Sequence, residues 1–240
     1  MNTQLLAAFF TLGAASLLSA EVRISEFLSS NANGLTTEAG QTADWIEIHN
    51  DGPESVNLEG YYLTDKRTFS PDDPESFWRF PQVTLASDAY LIVFESGTGE
   101  STSAEWHANF KISSDGERLA LIAPDGVSIL TDFNPSFPEQ KSDISYGIVS
   151  DGTWQFMAPP TPGTKNRAGV TGFVEDVVFS MKHGFYYEPI TIELTTATEG
   201  AEITYTLDDR EPDVGTIFTG PIGETYTGPF EISKTTVVRA

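Results

Sequence analysis

Residues 117–130 read ERLALIAPDGVSIL, and this stretch decides the fold class. Leu119 and Leu121 lead into Pro124-Asp125-Gly126, and Val127 and Ile129 lead out. Apolar alternation on both sides of Asp-Gly is a hairpin signal, because glycine accepts positive φ without a Cβ clash. The flanking sequence repeats this grammar. AYLIVFES (89–96) is a continuous apolar run, as for a strand covered on both faces. In DWIEIHN (44–50), Ile46 and Ile48 share one face and Trp45 and Glu47 the other, with His49 on the Glu47 side and at least half exposed. In VRISEFL (22–28), strict alternation puts Val22, Ile24, Glu26 and Leu28 on one face and Arg23, Ser25 and Phe27 on the other. Turns fall at Asn33-Gly34, Asp51-Gly52-Pro53, Asp115-Gly116 and Asp151-Gly152. Many short strands at this spacing predict an all-β sandwich or barrel.

A boundary falls between residues 158 and 174. APPTPGTKNRAGVTG (158–172) opens with Pro159, Pro160, Pro162 and Gly163, which interrupt strand ladders. A second strand series follows: ITIELTT (190–196), AEITYTLDD (201–209), FEI (230–232) and TTVVRA (235–240). Ahead of both series, the apolar run Leu5–Leu18 ends in Ser19-Ala20 before Glu21. Its length fits an export signal over residues 1–20 and falls short of a membrane span. The expected organisation is a signal, a first domain over 21–168 and a second over 174–240. Because TTVVRA ends inside an apparent strand, the second domain is expected to be cut at its last strand, with further domains beyond residue 240.

The composition narrows function. The net charge is -22, with 23 acids against 9 bases over 21–168 and 12 against 4 over 169–240, so both halves repel phosphate backbones and no nucleic-acid partner is expected. There is no cysteine, which excludes disulfides and thiolate chemistry. The histidines, His49, His107 and His183, are far apart, and no GxSxG, P-loop, GxGxxG or HExxH occurs. No catalytic residues are therefore predicted.

Two groups of residues are candidates for binding. Asp208, Asp209, Glu211 and Asp213 place four carboxylates within six residues. Clustered oxygens on a loop suit weak extracellular calcium, and a solvated acidic turn bent by Pro212 is the alternative. Asp72, Asp73 and Glu75 read as a polar loop. Aromatic side chains could stack on sugar faces, although most are needed as core. Neighbours on a strand point to opposite faces, so one each of Tyr61-Tyr62 and Tyr186-Tyr187 is expected to face outward and contact ligand.

The ordered pieces VRISEFL, DWIEIHN, NLEGYYLTD, WRFPQVTL, SDAYLIVF, WHANFKISSDGERLALIAPDG and TPGTKN span residues 22–166. In that order they resemble the bacterial lamin-tail domain family, which implies an immunoglobulin-like sandwich. FSMKHGFYYEPITIELTTATEGAEITYTLDDREPD and YTGPFEISKTTVVRA resemble the C-terminal domain of chitobiase and β-hexosaminidase-type proteins. Where that family carries Gly-Ser after Leu-Asp, this chain has Asp209-Arg210, a more charged turn. The two resemblances imply two immunoglobulin-like β-sandwich domains in tandem, acting as accessory modules. The expected function is a secreted, non-catalytic adhesion, scaffold or ligand-binding pair meeting protein or glycan at the cell exterior, with no membrane span in the mature chain. The alternative is the accessory region of an exported enzyme, a CotH-like kinase or a glycoside hydrolase, whose catalytic domain lies beyond residue 240.

Overall fold

The computed structural model describes residues 22–213 and 221–240, so the signal expected over 1–20 lies outside the described residues. The described chain falls into two compact units that divide after Thr171. Both are all-β, the immunoglobulin-like tandem architecture expected of them.

Among the described residues the first unit has twelve strands: β1 Val22–Leu28, β2 Trp45–Asn50, β3 Val56–Asn57, β4 Tyr62–Thr64, β5 Trp78–Arg79, β6 Thr84–Leu85, β7 Ala89–Phe94, β8 Trp106–His107, β9 Ala120–Ile122, β10 Ile129–Asp132, β11 Ser145–Ile148 and β12 Trp154–Met157. Six form one sheet in the order β12-β11-β1-β2-β7-β8, and four form a second in the order β10-β9-β4-β5. Ile24, Phe27, Ile46, Ile48 and Val93 from the first sheet meet Leu63, Trp78 and Leu121 from the second in one buried core. Beyond β12, Val170 exchanges two backbone hydrogen bonds with Phe156, at 2.8 and 2.9 Å.

The hairpin at 117–130 forms as β9 and β10. Asp125 Oδ1 accepts from the Val127 and Ser128 amides, and Gly126 has φ +68. Its register shifts between Ile129 and Thr131, so Leu130 packs on the core while Val127 and Ile129 are exposed. The alternation expected on the return strand is thus displaced by one residue.

A bulge also corrects the expected faces of β1. Ile24 pairs with Ile48 and Glu26 with Glu47, leaving Ser25 as the extra residue. One inserted residue reverses every later side chain. Phe27 therefore joins Val22 and Ile24 in the core, while Leu28 packs on the opposite face with Trp45 and Phe94. Glu26 leaves the face it was expected to share with Val22 and lies directly across from Glu47.

In the second unit, β13 Val178–Phe179 pairs with β15 Leu194–Thr195, β14 Ile190–Ile192 with β18 Phe230–Ile232, and β16 Thr204–Tyr205 with β17 Glu224–Thr225. Among its described residues Ile192 and Leu194 are the buried apolar side chains, so its core is thin. TTVVRA contributes a bridge from Arg239 to Thr206 in place of the strand expected there.

Candidate functional site

The bulge in β1 creates the first unit's most unusual feature, two glutamates at zero exposure on adjacent strands. Glu47 Oε1 accepts from Ser25 Oγ at 2.6 Å, and Oε2 accepts from the Gly163 amide at 2.5 Å. Glu26 Oε1 accepts from Ser145 Oγ at 2.5 Å and the Thr161 amide at 2.9 Å, and Oε2 accepts from Thr161 Oγ1 at 2.8 Å. Burial raises the Glu47 carboxyl to about 7, with the Glu26 carboxylate adding to the rise against the hydrogen bonds that oppose it.

These carboxyls hold the proline-rich segment 158–166 against the sheet. Asn166 completes the hold, its Nδ2 donating to Ser25 O at 2.7 Å and Ile148 O at 2.9 Å. TPGTKN therefore acts as a strap on the sheet. Sequence reasoning missed the acid pair because alternation assigned Glu26 to the wrong face. A glutamate between Ser25 and Phe27 on a face expected to be apolar in VRISEFL, and another between Ile46 and Ile48 in DWIEIHN, was the available signal.

Beside the strap opens a cleft of about 390 Å³, bordered by Arg23, His49, Asp51, Asp88, Tyr90 and Lys165. His49 is buried, not half exposed as expected, because Tyr90 stacks on it with centroids 4.1 Å apart and planes within 5°. His49 Nε2 lies 3.2 Å from Asp88 Oδ1, and Arg23 Nη2 pairs with Asp51 at 2.5 Å. The Arg23 Nε is buried and has no hydrogen-bond acceptor.

The predicted tyrosines divide sharply. Tyr61 and Tyr62 are both buried, which corrects the expectation that one faces outward. Tyr61 enters the main core, and Tyr62 is covered from the other side by Phe69 and Phe77, with centroids at 5.4 and 4.8 Å. The loop after β4 folds back and closes the second face. In the second unit, Tyr186 is 43 % exposed, while Phe185 and Tyr187 on either side of it are 102 % exposed. Tyr186 Oη donates to Lys182 O at 2.6 Å and braces the loop that presents the other two rings.

The four carboxylates of the acidic turn do not converge. Asp208 pairs with Arg210 at 2.8 Å; Arg239 reaches Asp209 at 2.8 Å and Glu211 at 2.9 Å. Arg210 holds the Asp208 carboxyl below its usual range. Asp209 has φ +66, and Asp213 pairs through its backbone with Ile222. Among the described residues no group of three or more histidine, aspartate or glutamate side chains is placed to hold a metal ion. Guanidinium groups pair with three of the four carboxylates that were candidates for calcium.

The comparisons with known proteins agree with this architecture. No curated protein matches the chain. The first family match ends at residue 132, the end of β10, so β11, β12 and the TPGTKN strap lie beyond it. Residues 18–132 match the Lamin Tail Domain family and residues 181–240 the chitobiase/beta-hexosaminidase C-terminal domain family, so the chain joins one module similar to each, in that order.

Proposed function

We propose that the chain is a secreted, non-catalytic pair of modules, with 1–20 as its export signal and domains over 21–168 and 174–240. In this reading the second module docks on a glycan or protein at the cell exterior through the aromatic loop around 185–187. One observation carries the proposal: Phe185 and Tyr187 are fully exposed on a loop braced by Tyr186. Large aromatic side chains that contribute nothing to their own core mark contact surfaces. The similarity of both modules to accessory domain families supports a binding or scaffold role. No helix among the described residues is long and apolar enough to cross a membrane.

The test is depletion of the protein from solution by insoluble polysaccharides and by intact cells. The wild-type chain is expected to bind at least one of these surfaces. Phe185→Ala/Tyr187→Ala should weaken that binding by about tenfold or more, since a central aromatic contact is worth about 1–2 kcal/mol or above. Both side chains are exposed, so the melting temperature should hold. Equal binding by the variant and the wild type, or binding by neither, refutes the reading.

A further inference from the structure

We propose that residues 158–166 of the first unit form a proton-operated latch, which lies closed on the six-stranded sheet while Glu47 carries a proton and opens as Glu47 joins Glu26 in carrying charge. The opening is local, and the two sheets with their core stay in place.

The way the strap is held points to a part that moves alone. None of residues 158–166 belongs to the apolar core. Pro159, Pro160 and Pro162 have no amide hydrogen to give to a ladder. The fastenings to the sheet are polar: Thr161 N and Oγ1 to Glu26, Gly163 N to Glu47, and Asn166 Nδ2 to Ser25 O and Ile148 O. Segments with few apolar contacts open at lower free energy than the core beneath them. Both ends are tethered, by β12 before the strap and by the pairing of Val170 with Phe156 after it, so an opened strap recloses in the same place.

The fastening is sensitive to charge because of what surrounds Glu47. Glu26 stands directly across from it on β1, also at zero exposure. His49 is the next residue on the same side of β2, Tyr90 comes from β7, and Lys165 is the one charged residue of the strap. β11, on the far side of β1, brings no charge. Among the described residues no lysine or arginine pairs with either glutamate. A second negative charge opposite the first, out of water and with no cation beside it, is both repelled and poorly solvated.

The neutral form fits the closed strap. Ser25 Oγ lies 2.6 Å from Glu47 Oε1 and 3.3 Å from Glu47 O. A protonated Oε1 donates to that hydroxyl, which donates in turn to the carbonyl, while Oε2 keeps the Gly163 amide. Closed, Glu47 holds its proton up to about 7; open, it meets water and returns to an ordinary 4.5. Opening therefore releases one proton, so rising pH favours it between those values and adds nothing further above them. Glu95, the other carboxyl pushed far up by burial, bonds to the Ile112 amide, so its titration bears on unfolding of the whole unit and leaves the strap alone. Lys165 and Asn166 form one wall of the cleft of about 390 Å³, which the open strap widens.

Amide hydrogen exchange of the full chain between pH 5 and 8, corrected for intrinsic rates, tests the latch. The opening constant at Thr161 and Gly163 should rise by about tenfold per pH unit up to 7, the slope of one proton, and then level off. Amides of the β2–β7 ladder should open less often at every pH. The Glu47 carboxyl carbon shift, followed in the same samples, should titrate with its midpoint where the rise levels off. In Glu47→Gln the Gly163 opening constant should be flat with pH. The wild-type comparison decides the matter even if that variant does not fold. A pH-independent opening constant at Gly163, equal opening of strap and ladder amides, a Glu47 midpoint near 4.5, or an unchanged slope in Glu47→Gln would overturn the proposal.

Discussion

Glu47 couples protonation to folding. Its carboxyl moves from an ordinary 4.5 to about 7 in the folded chain. A carboxyl raised in this way keeps its proton longer when folded, so its contribution is fully present below about 4.5 and is lost as pH climbs towards 7. The shift corresponds to about 3 kcal/mol at 1.36 kcal/mol per unit. Glutamine preserves the geometry, accepting from Gly163 and donating to Ser25 Oγ. Glu47→Gln should therefore match the wild type near pH 4.5 and gain stability over it progressively up to pH 7, by about 3 kcal/mol. Urea unfolding at a series of pH values checks this, and a difference independent of pH would exclude Glu47 as the titrating group. Glu95 is buried and also pushed well above the usual carboxylate range, so both variants should share its background slope. At this scale the sequence was a poor guide. Nothing local to Glu47 or His49 says that Gly163 or Tyr90 will cover them, because those partners come from distant strands and loops.

At the scale of elements, alternation was legible wherever the ladder runs without interruption. Ile46 and Ile48 face the core as read, and β7 is covered on both faces. It failed at the two bulges, after Ile24 and after Ile129, because a bulge is a property of the pairing and leaves no mark in one strand alone. It failed again at Tyr61-Tyr62, where the residues take the expected opposite directions, Tyr61 into the core, but a loop buries the outward Tyr62. The strap was read correctly as a break in the ladders, and its packing role was missed. Gly147 shows how closely the strap approaches the sheet. A Cβ there would meet Asn166 Nδ2 and Met157 Cε at 2.5 Å and Ser25 O at 3.0 Å. Gly147→Ala should therefore lift Asn166 from Ser25 and cost about 1–3 kcal/mol, the usual range for overpacking. A denaturant titration checks the loss. Protection of the Gly163 amide from exchange, measured in parallel, should fall with it.

For the whole molecule, the acidity read from the sequence is organised by few cations. Arg239 and Arg210 engage three of the four carboxylates on the second unit's acidic turn. Calcium chloride should consequently raise the melting temperature no more than sodium chloride at matched ionic strength, since both act by screening. A larger rise with calcium, abolished in Asp208→Asn/Asp209→Asn, would reinstate a specific ion there. The short pairing of Val170 with Phe156 has a different consequence. β12 lies at the border of its sheet, and Val170 occupies both main-chain groups of Phe156 that would otherwise be open. Open sheet borders recruit strands from other molecules. A chain ended after residue 167 keeps the strap and the core but uncovers that border. It should associate with itself in a concentration-dependent way in sedimentation, while a chain ended after residue 171 stays monomeric.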